Sequence, residues 1–302
     1  FDPFWKFQSG SLVKSNSSDW KWTSESVEIH PNGSQLSSKD PLGRYSSVLL
    51  GYDNQLKIAS VSNSKINNSL NLNFESIDLD CNESIIYRHL SSLITNDISH
   101  TGNSSLFLDD NSKQISQSLN QISTIGSTIP PYKLLDKDLL PEFKPETGIY
   151  LVSVWVKENH NDYVHQYSNA TLDVKMTTQN ISFSPEGPMV EGWQKIEGEF
   201  TISTNDLEID IIFNKNQFSN QVFFDDFRIH PIDANMMTHV YDKEDYRLMA
   251  ELDENNYAVF YEYDEEGKLI RTKRETEKGI MTIEEKRGHI HQKEKNKKLL
   301  HD

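Results

Sequence analysis

The stretch Val222 to Pro231, VFFDDFRIHP, decides how the middle of the chain reads. Phe223, Phe227 and Ile229 share one face of a period-2 strand and Val222 and Phe224 the other, a pattern that predicts a buried strand. Two carboxylates, Asp225 and Asp226, interrupt it. Adjacent strand residues point to opposite faces, so at most one of the two is expected to aim at any one site. The one turned inward needs a cation or a set of hydrogen-bond donors. A bound metal or a dense hydrogen-bond knot is therefore expected here.

Upstream of that strand the sequence has the same texture. NLNFESIDLD, ISHTGNSSLFL, GIYLVSVWVKEN, EGWQKIEGEFTI and LEIDIIF are short β-prone runs bounded by Gly, Pro, Asn or Asp, and no convincing helix lies between them. This predicts an all-β sandwich. In its longest strand Tyr150, Val152, Val154 and Val156 form the core face. In the strand after Gly192, Ile196, Gly198, Phe200 and Ile202 do so. Trp155 and Trp193 fall off both core series. Downstream, Tyr241-Asp242 and Tyr263-Asp264 repeat a pair 22 positions apart, and turns at Asn255-Asn256, Glu266-Gly267 and Lys278-Gly279 predict a meander of hairpins. Those strands carry too many charges to enclose a core, so they must lean on a neighbour.

The chain has 302 residues, enough for two or three compact units, and 46 acidic against 30 basic side chains give a net charge of −16. That balance argues against a nucleic-acid backbone or an anionic membrane as partner and suits divalent cations. Cys81 is the single cysteine, which excludes an internal disulfide and a cysteine-based zinc site. No apolar run long enough for a membrane helix is present, and the first residues, FDPFWKF, lack the basic, apolar and cleavage regions of a signal peptide. No nucleophile elbow, zinc-protease helix motif or phosphate-binding glycine loop occurs, so an enzyme is not expected.

The order of short motifs carries a resemblance. Phe74-Glu75, Ser99 to Leu106 (SHTGNSSL), Gly148 to Lys157, Gly192-Trp193-Gln194 and Phe224 to Phe227 (FDDF) together resemble the galactose-binding-like jelly-roll carbohydrate-binding modules. The hairpins resemble RHS/YD repeats, and the whole resembles segments of very large surface or secreted proteins of Bacteroidota exported by a dedicated (type 9) system. The resemblance implies a fold: a jelly-roll β-sandwich at 70–232, after an N-terminal β-rich segment (1–69) and before YD-repeat-like hairpins (233–287) and a basic tail (288–302). It also implies a structural calcium ion held by Glu75 and Asp226, with Asp225 as alternate and backbone carbonyls around Ser99 and Gly102 completing the shell. Sugar-stacking candidates are Trp155, Tyr163, Tyr167 and Trp193, although packing explains each of them singly. The expected role is a non-catalytic structural or adhesive segment of a large extracellular or cell-surface protein. The partners would be other parts of a parent chain or surface complex. The alternative is a glycan-binding module.

Overall fold

A computed structural model describes residues 5–14, 21–75, 93–108, 113–118, 143–160, 162, 164–215 and 221–286. The described residues form 22 strands and one short 3-10 helix, Ile66–Asn68, and every strand pairing is antiparallel. The all-β expectation holds. Cys81, Tyr163 and the tail beyond Lys286 lie outside the described residues.

Two sheets make the sandwich. One runs in the order Pro185–Val190, Trp193–Ile202, Gly148–Glu158, Val222–Pro231, Ser105–Leu108, Ile94–Thr95, with Leu70–Leu72 also on Val222–Pro231. The other runs Lys113–Ser118, Glu208–Lys215, Ala170–Met176, Asn180–Phe183. Tyr150, Val152, Val154, Val156, Ile196, Phe200 and Ile202 all enter the core between them, as their alternation requires. The sheets approach closely at Gly198, where a Cβ would run into the Phe183 ring of the facing sheet. Gly198→Ala is therefore expected to cost about 1–3 kcal/mol by overpacking. Urea unfolding measures it, and an unchanged midpoint would mean that Phe183 has room to move.

The strand VFFDDFRIHP departs from strict alternation. Val222, Phe224, Phe227 and Ile229 all face the sandwich core, whereas Phe223 belongs to a separate cluster with Trp155, Val190 and Trp193. The cause is a register shift opposite Ser153 to Trp155, with Asp226 in a left-handed conformation at φ 50°. Such a bulge inserts one residue and resets the faces. The period-2 reading, which put Phe223 with Phe227, fails at this point. So does its corollary, because the bulge lets Asp225 and Asp226 both serve one cluster.

A third sheet of nine strands lies against the sandwich. It runs Gly279–Glu285, Leu269–Thr276, Ala258–Tyr263, Leu248–Leu252, Asn235–Tyr241, Leu56–Ser62, Tyr45–Gly51, Gln35–Lys39, Glu25–Ile29. Strands from before and after the sandwich thus join edge to edge, Ser62 pairing with Asn235. One turn recurs on both sides. At Asp40, Asp253 and Asp264 the aspartate carbonyl accepts from the residue three later, and its Oδ1 accepts N–H groups two and four later. The third following residue takes positive φ, as Gly43, Asn256 or Gly267. Glycine and asparagine tolerate that geometry best. The Tyr-Asp pair spaced by 22 is thus two steps of a shorter repeat, with Leu252-Asp253 between, and it is the aspartate that recurs.

Candidate functional site

The acidic pair lies where the sandwich meets the nine-stranded sheet. Asp225 Oδ2 accepts from the backbone N–H groups of His100 (2.7 Å) and Thr101 (3.2 Å), and its Oδ1 accepts from Asp226 N at 2.8 Å. Asp226 accepts from Thr101 Oγ1 at 2.8 Å, and its Oδ2 lies 2.7 Å from His100 Nδ1. The other ring nitrogen of His100, Nε2, lies 2.9 Å from Glu275 Oε1, and Glu275 Oε2 accepts from Ala258 N at 3.0 Å. His100 therefore bridges the closing strand of the sandwich to the hairpin sheet. All of these side chains are buried. Burial pulls the His100 pKa down, but Glu275 and Asp226 outweigh it and raise the pKa to about 10, so the ring is a cation at neutral pH. Burial and the neighbouring Asp226 push Asp225 well above the usual carboxylate range.

Around this knot the two bodies interlock. The His100 ring stacks on Trp155 with centroids 4.5 Å apart, and Trp155 Nε1 donates to Asn256 O at the tip of a hairpin at 2.7 Å. Asn256 Nδ2 donates back to Asp226 O at 3.0 Å. Arg228, also buried, makes no ion pair with the acidic pair. Its guanidinium donates to the carbonyls of Met236 (3.2 Å), Asp253 (2.7 Å) and Glu254 (2.6 Å). Its burial draws its pKa down to about 10.

The calcium ligands implied by the jelly-roll resemblance divide between neighbouring contacts: Asp225 and Asp226 bind His100 and Thr101, and Glu75 binds the two residues after Gly102. Glu75 accepts from Asn103 N, Ser104 N and the Ser104 hydroxyl, all neutral donors, and burial raises its pKa to about 7. Gly102 is pressed against it, since a Cβ there would strike Glu75 Oε1. The Ser99 hydroxyl donates to Gly102 O at 2.9 Å. Among the described residues no group of three or more His, Cys, Asp or Glu is arranged to hold a metal. An ion here would rest on two carboxylates and main-chain carbonyls. Glu75, Asp225, Asp226 and Glu275 are all buried, and the His100 ring touches Asp226 and Glu275.

The sugar-stacking candidates are placed otherwise than a glycan site needs. Trp155 is fully buried and Trp193 is 4% exposed, both beneath Tyr257 and Ile280 of the hairpin sheet, so neither offers a ring face to a sugar. Tyr167, at 5% exposed, donates its hydroxyl to Gly192 O at 2.7 Å and stacks on His160. It belongs to the sandwich core. Sequence reasoning missed His100 as a cation, Glu275 and Asn256. His100 sat within the quoted SHTGNSSL motif, next to a carboxylate pair in need of a charge. Glu275 carries no local signal, being 175 positions away.

No protein-family model matches the chain, and no curated protein sequence matches it. The RHS/YD and Bacteroidota resemblances thus find no support among the comparisons. Solved structures similar to this chain are carbohydrate-binding modules. The CBM22-1 xylan-binding domain of Paenibacillus barcinonensis Xyn10C is 13% identical over 45% of this chain and 78% of its own, with a TM-score of 0.28. The CBM22-1 and GH10 modules of Clostridium thermocellum xylanase 10B, complexed with xylohexaose, are 12% identical over 56% of this chain and 27% of that one, at 0.31. TmCBM61 in complex with β-1,4-galactotriose is 15% identical over 57% and 88%, at 0.23. Likenesses this weak carry no argument about what the present chain binds.

Proposed function

We propose that this chain is a non-catalytic structural or adhesive segment of a larger secreted or cell-surface protein. The observation that carries this reading is the buried clamp of His100, Trp155 and Asn256, which fixes the sandwich to the hairpin sheet. In this arrangement the aromatic face of the sandwich meets the chain's own hairpins, which suits a rigid spacer. Limited proteolysis tests it: the described body should resist cleavage at Pro231 to Asn235, between sandwich and sheet. Ready cutting there would speak for two independent modules.

A second reading, glycan binding, is favoured by the outer face of the nine-stranded sheet, where hydroxyl and aromatic side chains stand open. The two readings meet in an adhesin. Calcium is proposed to strengthen the knot, with Glu75 and Asp226, or Asp225 in its place, as the carboxylates that would hold it. Such an ion would neutralise Glu75, whose own donors are neutral. It adds stability in proportion to the logarithm of its concentration over the dissociation constant. EDTA is then expected to lower the melting temperature, and Asp226→Asn to blunt that response more than Asp210→Asn. An unmoved melting curve would leave His100 as the sole counter-ion.

A further inference from the structure

The outer face of the nine-stranded sheet, turned away from the sandwich, can be read from its register. Met236 and Val240 belong to buried clusters, so Asn235, Met237 and His239 stand on the opposite face. Cross-strand rungs carry that face across the sheet: Ser38, Ser46, Ser62 and Asn235 form one, and Val48, Ser60 and Met237 the next. Between these strands lies an open groove of about 390 Å³. Ser38, Ser46, Ser60 and Ser62 line it from this face, and none of its lining residues is charged, in a chain where a quarter of the residues are.

Beside the groove an aromatic shelf continues the face. Met237 is 42% exposed, and the rings of His239 and Tyr241 lie parallel, 11° apart, with centroids at 6.4 Å. Tyr246, 48% exposed, packs edge-on to Tyr52, as Tyr241 does. Within this shelf His239 is only 9% exposed and its Nδ1 has no hydrogen-bond partner among the described residues. Its Nε2 lies 3.7 Å from Glu251 Oε1, beyond hydrogen-bond range. A buried polar nitrogen without a partner is costly.

We infer that this outer face binds a neutral oligosaccharide, laid along the serine groove with one sugar ring against Met237 and Tyr241. The inference rests on the glycan reading above and moves its site from the sandwich to the sheet. Serine hydroxyls both donate and accept, as sugar hydroxyls require, and flat aromatic rings match the apolar face of a pyranose. An uncharged groove on a protein of net charge −16 selects against uronic-acid and sulfated glycans.

The test is calorimetric titration of the full chain with xylohexaose, cellohexaose, β-1,4-galactotriose and, as the anionic control, oligogalacturonate. At least one neutral sugar should bind and the anionic one should not. Ser46→Glu, at an exposed groove position, and Tyr241→Leu should each weaken binding tenfold or more. His160→Ala, at the end of the sandwich, should leave it unchanged. Melting curves of the variants establish that each is folded, and Met237→Ala replaces Tyr241→Leu should the latter unfold. Binding that survives the groove and shelf variants but falls with His160→Ala would overturn the placement and keep the glycan reading. No heat with any neutral sugar would overturn both.

Discussion

His100→Ala is expected to destabilise the folded chain by about 3–5 kcal/mol, the cost of leaving buried carboxylates without their cation. In the native structure the His100 ring lies 2.7 Å from Asp226 and 2.9 Å from Glu275, all of them buried, and stacks on Trp155. Truncation leaves both acids facing a void. His160→Ala is the control: His160 pairs with Glu158 at 2.8 Å, but its side chain is 24% exposed and Glu158 keeps the N–H groups of Asn169 and Ala170, so the loss should be smaller. Should His100→Ala fail to fold, the double variant with Glu275→Gln decides the matter. Removing the second charge should restore part of the stability, and an additive result would show that the two residues do not interact.

Trp155→Ala is expected to cost about 3–5 kcal/mol, the usual range for emptying a buried aromatic site. Three contacts are lost at once: the stack on His100, the edge contact with Tyr257 at 5.6 Å, and the hydrogen bond to Asn256 O at 2.7 Å. The last leaves a buried carbonyl without its donor. Denaturant titration gives the value. A tryptophan that stacked on a ligand would behave the opposite way, with stability kept and affinity gone, so this variant separates the clamp from the sugar-stacking expectation for Trp155.

The sandwich was legible because its strands are buried on one face, and alternation then exposes the core positions directly. Val152, Val154 and Phe200 needed nothing more than period-2 reading. Alternation failed where the backbone breaks it, since no residue type announces the bulge at Asp225 and Asp226. The hairpins were legible from turn chemistry alone, down to the strand Ala258–Tyr263. Their union with Gln35–Lys39, Tyr45–Gly51 and Leu56–Ser62 was not, because edge pairing between distant segments leaves no periodic mark in either. The acidic pair was correctly read as needing a partner. Its main partner proved to be a histidine cation shared with Glu275, and that pairing depends on the nine-stranded sheet being in place.

The central claim is that sandwich and nine-stranded sheet form one cooperative body through the His100 clamp. Native-state hydrogen exchange across a urea series tests it most directly, because amides that open together share one free energy and one denaturant slope. The clamp predicts that the amides of Val154 and Phe224 in the sandwich and of Ala250 and Phe260 in the sheet converge on the same global value. Sheet amides that exchange several kcal/mol more easily, with a shallow slope of their own while the sandwich stays protected, would contradict it.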